Sequence, residues 1–119
     1  MKLGLGTVQF GLAYGVSNQR GQVSAPEAGA ILARAAEAGI GVLDTAANYG
    51  EAEAVLAALD TTPFRIVTKT ISVTHGVETV VARAKESAQR LKADTLLVHA
   101  ADDLADAALW PALQQWKKD

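Results

Sequence analysis

Four residues of this sequence carry side chains that could perform acid–base chemistry together: Asp44, Tyr49, Lys69 and His99. Asp44, Lys69 and His99 each end a short apolar run, and Tyr49 follows Asp44 by five residues. Taken singly, each has an ordinary explanation as a turn residue, a loop aromatic, an edge charge or a strand-end histidine. Taken together, a carboxylate, a phenol, an amine and an imidazole can protonate and orient a carbonyl group.

Lys69 is the residue that would make the phenol of Tyr49 an effective acid. A free phenol ionises only near pH ~10, and a neighbouring ammonium favours the phenolate. Because Lys69 follows an apolar run, it needs a counter-ion to keep its charge, and Asp44 is the natural one. His99 can then orient the carbonyl oxygen. A different use of Lys69, as the Schiff-base amine of an isomerase or aldolase, stays open but fits Tyr49 and Asp44 less well.

Short apolar runs alternate with amphipathic stretches along the chain, and these elements must position the four side chains. The runs predict four strands, at residues 3–7, 42–44, 65–69 and 95–98. The apolar stripes predict four helices: one after Ser24 that ends near Gly39, two at residues 52–59 and 77–91, and a last one with Pro111 in its first turn. Strand and helix alternate without a hairpin signal, which predicts an α/β fold of parallel strands joined by crossover helices.

The spacing of the candidate residues matches one strand–helix unit. Lys69 lies 25 positions after Asp44, and His99 lies 30 positions after Lys69. Since parallel strands end at a common edge, these side chains should converge there. A doubly wound sheet and a (β/α) barrel both fit the alternation, and the regular unit length favours the barrel. A closed eight-stranded barrel needs about 250 residues, so we expect residues 1–119 to form one domain that holds only the first four strand–helix units of a TIM-type barrel.

Composition excludes several classes of function. Eleven basic against thirteen acidic residues give a net charge of -2, and without a basic run nucleic acid is a poor partner. The absence of cysteine excludes thiolate chemistry and fits a reducing cytoplasm, and two histidines are too few for a zinc site, so no metal is expected. No run reaches membrane-spanning length, and glycines interrupt the stretch at residues 3–16 that most resembles an export signal. We therefore expect a cytoplasmic protein without a membrane partner.

Four motifs make the sequence resemble the aldo-keto reductases: LGLGT at residues 3–7, LDTAANYG at 43–50, IVTK at 66–69 and LLVH at 96–99. The resemblance extends from the first predicted strand into the helix after the fourth. It implies reduction of a small aldehyde or ketone to an alcohol by NADPH or NADH, with Tyr49 as the general acid. It further implies that Lys69 and Asp44 tune Tyr49 and that His99 positions the substrate carbonyl.

The same resemblance implies a cofactor site only at its nicotinamide end. Gly6, Thr7, Asp44 and Lys69 match the family positions near the nicotinamide. LGLGT is not a Rossmann fingerprint, because Gln9 stands where the third glycine is required. By the plan of the family, the residues that grip the adenosine phosphate come after residue 119, so this chain carries none of that clamp and looks truncated.

A half barrel would leave two sheet edges and one sheet face uncovered. The first and fourth strands would each lack a neighbour, and the inner face, expected to carry Leu5, Val42, Val67 and Leu97, would lack its opposite wall. We therefore expect the chain to self-associate through these edges. This leaves a second hypothesis open, in which the chain is a non-catalytic half-barrel interaction or assembly module, or an inactive fragment.

Overall fold

Each predicted strand forms and is followed by its helix in the computed structural model, which describes residues 2–119. The strands and helices, in chain order, are β1 Gly4–Gly6, α1 Ala25–Glu37, β2 Val42–Asp44, α2 Ala52–Ala57, β3 Arg65–Lys69, α3 Val77–Leu91, β4 Thr95–Leu97 and α4 Leu109–Lys118. The sequence did not predict the short 3-10 turns at Val8–Phe10, Val73–His75 and Ala101–Ala105. Pro111 lies in the first turn of α4, where its missing N–H costs no helical hydrogen bond.

The four strands form one parallel sheet in the order β1-β2-β3-β4. Leu43 of β2 lies opposite Leu5 of β1 on one side and Ile66 of β3 on the other. A doubly wound sheet reverses its strand order at a switch point, whereas a barrel keeps the order of the chain. The unbroken order therefore confirms the α/β class and the barrel-type winding, with the first four strand–helix units present.

Local signals set the ends of α1 as predicted. The Oγ atom of Ser24 accepts a hydrogen bond from the Glu27 N–H at 3.3 Å, and Pro26 stands in the first turn. At the other end Gly39 takes a positive φ of 78°, and the Ile40 N–H donates to the Ala35 carbonyl at 3.0 Å. This closing pattern satisfies carbonyls that the last helical turn leaves without partners.

The helices cover only one face of the sheet. Leu43 and Ile66 point to that face and are buried with leucines from three helices, namely Leu32, Leu56 and Leu91. A second, smaller cluster joins α3 to α4 through Val80, Leu109 and Leu113. Burial of these side chains, worth about 1.5–3 kcal/mol each, is what holds helices as short as α2 against the strands.

The opposite face of the sheet is open. It carries three of the four side chains that we expect there from the sequence. Val42, Val67 and Leu97 do point to the open face, with Leu97 44% exposed. Leu5 does not, because it lies in register with Leu43 and packs against the helix-covered cluster. The placement of Leu5 on the inner face was therefore wrong. In β1 the open face is bare glycine backbone.

Candidate active site

Lys69 and Asp44 form an ion pair where β2 and β3 end on the open face. Lys69 follows Val67, the register partner of Asp44, by two residues, so both side chains point the same way. Lys69 Nζ donates to Asp44 Oδ2 at 2.8 Å and to the Thr45 carbonyl at 2.8 Å. The Lys69 side chain is only 15% exposed against 43% for Asp44. An ammonium this far from water needs such partners, so the pair holds the lysine in one position.

Tyr49 completes the surroundings of the lysine. Lys69 Nζ donates to Tyr49 Oη at 3.4 Å and lies 5.0 Å from the centre of the phenol ring. The three donor hydrogens of the ammonium therefore have three acceptors: a carboxylate, a carbonyl and a phenol oxygen. Because Tyr49 accepts from Lys69, its own O–H is free to donate to another acceptor in front of the sheet.

His99 lies beside Tyr49, just after β4. The two rings meet edge to face, with centroids 5.9 Å apart and planes at 86°. The His99 N–H donates to Oγ1 of Thr70, a residue only 1% exposed, at 3.2 Å. This backbone bond ties the residue to the end of β3, while the residue itself remains solvent-exposed. The structure thus brings the four candidate side chains together at the carboxyl ends of the strands.

Two glycines hold the loop that carries Tyr49. The backbone of Gly11 packs directly on that loop: a Cβ atom at Gly11 would lie 1.7 Å from the Tyr49 carbonyl oxygen. Gly50 packs equally closely on Gly11, since a Cβ atom at Gly50 would lie 2.3 Å from the Gly11 carbonyl oxygen. The sequence does not predict this contact, because two separate glycines carry no signal that their backbones touch.

The first strand places the other two candidate cofactor residues beside Asp44. The Thr7 hydroxyl donates to the Asp44 carbonyl at 2.9 Å, and Thr7 is fully buried. Gly6 is exposed, and a Cβ atom there would meet nothing within 4 Å. Thr7 therefore fixes the end of β2, and Gly6 leaves open backbone next to the Asp44 side chain.

Two kinds of feature are absent from residues 2–119. None of the helices there is both long and apolar enough to cross a lipid bilayer. Over the same residues, no group of three or more His, Cys, Asp or Glu side chains is arranged to hold a metal ion.

Parallel strands in chain order, with polar side chains at their carboxyl ends, define the class of the protein: the first half of a (β/α)8 barrel with its candidate site at the end that barrel enzymes use. A family model, that of the aldo/keto reductase family, matches residues 2–119. The chain belongs to the aldo/keto reductase family, as its motifs indicated.

Solved structures described as aldo-keto reductases share this fold. One described as such, from Pseudomonas aeruginosa, is 30% identical, with a TM-score of 0.71 over 97% of this chain and 50% of its own. The Bombyx mori enzyme in complex with NADP is 22% identical, with a TM-score of 0.63 over 98% of this chain and 42% of its own. A search of the curated proteins gives no match. The chain spans about half the length of the solved relatives it matches.

Proposed function

We propose that the chain is the proton-transfer half of an NAD(P)H-dependent aldo-keto reductase that reduces an aldehyde or ketone to an alcohol. The observation that carries this proposal is the Lys69 ammonium, which contacts the Asp44 carboxylate at 2.8 Å and the Tyr49 phenol at 3.4 Å. Structural ion pairs are common at strand ends, but a phenol held on the same ammonium suits the task of a general acid. We propose the same activity, reduction of a carbonyl to an alcohol, for the whole protein.

In the proposed reaction Tyr49 gives its proton to the carbonyl oxygen of the substrate. A nicotinamide held beside Gly6 and Asp44 would supply hydride to the carbonyl carbon, and Tyr49, having given up its proton, would be left as a phenolate. Lys69 stabilises that phenolate through the contact at 3.4 Å. Asp44 holds the Lys69 side chain in place through the ion pair at 2.8 Å while the proton moves.

His99 would act on the substrate rather than on the proton donor. Its ring lies against the Tyr49 ring and is accessible from the open face. An imidazole N–H in that position can donate to the same carbonyl oxygen that Tyr49 protonates. Two donors aimed at one oxygen orient the carbonyl and stabilise the charge that develops on it.

The residues of this chain fit the nicotinamide end of the cofactor. Gly6 leaves room for a ring to approach the backbone, and Asp44 keeps part of its carboxylate accessible next to Lys69. Thr7, whose hydroxyl is bonded to the Asp44 carbonyl, would contribute by holding Asp44 in place. The proposal therefore covers NADPH and NADH alike.

Replacing Tyr49 by phenylalanine tests the proposal, with Tyr14 as the matched control. Tyr49→Phe should lower NADPH-dependent reduction of a carbonyl substrate by about 10²–10⁴-fold, the usual contribution of a general acid. It should leave NADPH affinity, followed by nicotinamide fluorescence, unchanged. Tyr14 is 58% exposed, and Tyr14→Phe should change neither quantity. Retained turnover in Tyr49→Phe would remove Tyr49 from its proposed role.

The Schiff-base alternative is disfavoured by the environment of Lys69. Its amine donates to a carboxylate, a carbonyl and a phenol, so its electron pair is not available to attack a substrate. Borohydride added with a carbonyl substrate should therefore trap no adduct on Lys69. A covalent adduct at that residue would favour the isomerase or aldolase hypothesis instead.

A half-barrel assembly module is the second candidate, favoured by the open sheet. Within residues 2–119, β1 and β4 each pair with one strand only, and Leu97 is 44% exposed on the uncovered face. We propose that the 119-residue chain self-associates through these edges. An absence of saturable NADPH binding, together with self-association, would favour this candidate over the reductase.

A further inference from the structure

A buried carboxylate that the proposed reaction does not use lies directly behind the site. Glu53 of α2 is 2% exposed. Its Oε1 atom accepts hydrogen bonds from the Thr68 hydroxyl at 3.3 Å and from the Ser87 hydroxyl at 3.0 Å. Its Oε2 atom is buried without a hydrogen bond and lies 3.7 Å from Arg83 Nη1. One charged side chain therefore joins α2, β3 and α3.

The packing of α2 against the sheet does not require the charge of Glu53. The helix already buries Ala52 and Leu56 completely in the main core. A buried carboxylate costs several kcal/mol in lost solvation, even with a cation beside it, and an apolar residue usually stabilises such a position as well or better. A hydrogen-bonded carboxylate can instead specify how two elements are placed, because hydrogen bonds favour one arrangement of those elements where apolar contacts allow several.

Glu53 joins the helix that follows the Tyr49 loop to the strand that carries Lys69. Glu53 lies four residues after Tyr49, in α2, and Thr68 directly precedes Lys69 in β3. Thr68 points to the helix-covered face while Lys69 points to the open one, so the bond to Thr68 anchors the strand from behind. At 3.4 Å the contact between Lys69 and Tyr49 is near the outer limit of a hydrogen bond, so a small shift of α2 against β3 would break it.

We propose that Glu53 is a positioning residue that, through the Thr68 hydroxyl, sets the contact between Tyr49 and Lys69. Arg83 and Ser87 contact the carboxylate from the side of α3, away from the strand of Lys69: Arg83 Nη1 donates to the Ser87 hydroxyl, and that hydroxyl donates to Glu53. The catalytic consequence of this positioning rests on the proposed function. The positioning itself does not, and a spectroscopic measurement tests it separately.

Comparing Thr68→Val with Ser87→Ala separates positioning from plain stability. Each removes one hydroxyl that donates to the same oxygen of Glu53, but only Thr68 lies on the strand of Lys69. Valine keeps the β-branched shape that suits a strand. If Glu53 only stabilises the fold, both variants should melt at lower temperature with the site unchanged. If it positions the site, Thr68→Val alone should disturb Tyr49.

Ring NMR of tyrosine and histidine reads the site without any cofactor. The chain has two residues of each type, so Tyr14 and His75, both exposed, act as internal references. The nuclear Overhauser effect between the Tyr49 and His99 rings should be lost in Thr68→Val and Glu53→Gln. It should persist in Ser87→Ala, in Thr68→Ser, which keeps the hydroxyl, and in Glu51→Gln, which alters an exposed carboxylate near the start of α2. If Glu53→Gln fails to fold, Thr68→Val decides the result.

Turnover supplies the second measurement. A misplacement of the order of 1 Å can cost about 10²-fold in rate, so Thr68→Val should lower kcat by about that factor while KM and NADPH affinity stay within twofold. Thr68→Ser should restore kcat. A wild-type chain without carbonyl reduction would sink the reductase proposal and leave the NMR result to decide the positioning. An unchanged Tyr49–His99 contact in Thr68→Val, or equal effects of Thr68→Val and Ser87→Ala, would overturn the positioning role.

Discussion

At the scale of single residues, the candidate site depends on one ammonium with three acceptors. Lys69 is largely shielded from water and bonded to Asp44, to the Thr45 carbonyl and to Tyr49. Asp44 is nearly half exposed, so solvent screens the ion pair and its contribution to stability is modest. In the proposed reaction, the position of the ammonium therefore matters more for proton transfer than it does for folding.

Replacing Lys69 by methionine should separate these two effects. Lys69→Met keeps most of the side-chain volume, so we expect the free energy of unfolding in urea to change by less than about 1 kcal/mol. Turnover should fall by about 10²-fold or more, since the phenolate loses its neighbouring charge. Arg65→Met removes a cation whose side chain is 75% exposed at the other end of β3, and it should alter neither value. Equal turnover in the two variants would contradict the role of Lys69.

At the scale of elements, the loop after β2 is positioned by close backbone contact. The Gly11 backbone lies against the loop that carries Tyr49, and Gly50 completes the contact from the other side. Glu53, in the helix that follows, ties the same segment to β3 through Thr68. The Tyr49 loop is thus held from two directions by groups outside the four candidate side chains.

A single methyl group at Gly11 should dislodge the Tyr49 loop. Gly11→Ala would put its Cβ atom 1.7 Å from a backbone oxygen, so the loop or the turn at Val8–Phe10 must move. We expect a loss of at least 1–3 kcal/mol, roughly the range for overpacking, and loss of the NMR contact between the Tyr49 and His99 rings. Gly41→Ala is the matched control, because its Cβ atom would meet nothing within 4 Å. Equal stability of the two variants would show that the Gly11 contact is loose.

At the scale of the whole molecule, one face and two edges of the sheet have no cover among residues 2–119. The helices bury Leu43 and Ile66 on one face, while Val67 and Leu97 remain partly or largely accessible on the other. Strands with free N–H and C=O groups tend to pair with further strands. The solved relatives, about twice as long as this chain, belong to the same barrel-type fold.

A charge on the open face should weaken the self-association proposed for the isolated chain. Leu97→Lys puts an ammonium on β4, the kind of change that keeps natural edge strands apart. Sedimentation should show wild-type assemblies that dissociate in this variant. Leu104→Lys, at a comparably exposed leucine outside the sheet, should leave them intact. A wild-type chain that sediments as a monomer and melts cooperatively would contradict the proposal.

The sequence by itself determined the order of the elements and the edge at which the chemistry lies. Apolar runs, the Ser24 cap and the Gly39 stop act over a few residues, and parallel strands necessarily bring Asp44, Lys69 and His99 to a common end. The motifs that carry these residues also sufficed to identify the family.

Only the tertiary structure decided which side chains touch. The face of Leu5 could not be read from three residues with two glycines, because such a strand has no alternation of apolar and polar side chains. The contact of Gly11 with the Tyr49 loop and the burial of Glu53 both join segments far apart in the chain. Local sequence patterns carry no distances between such segments, since those distances arise when helices and strands pack against one another.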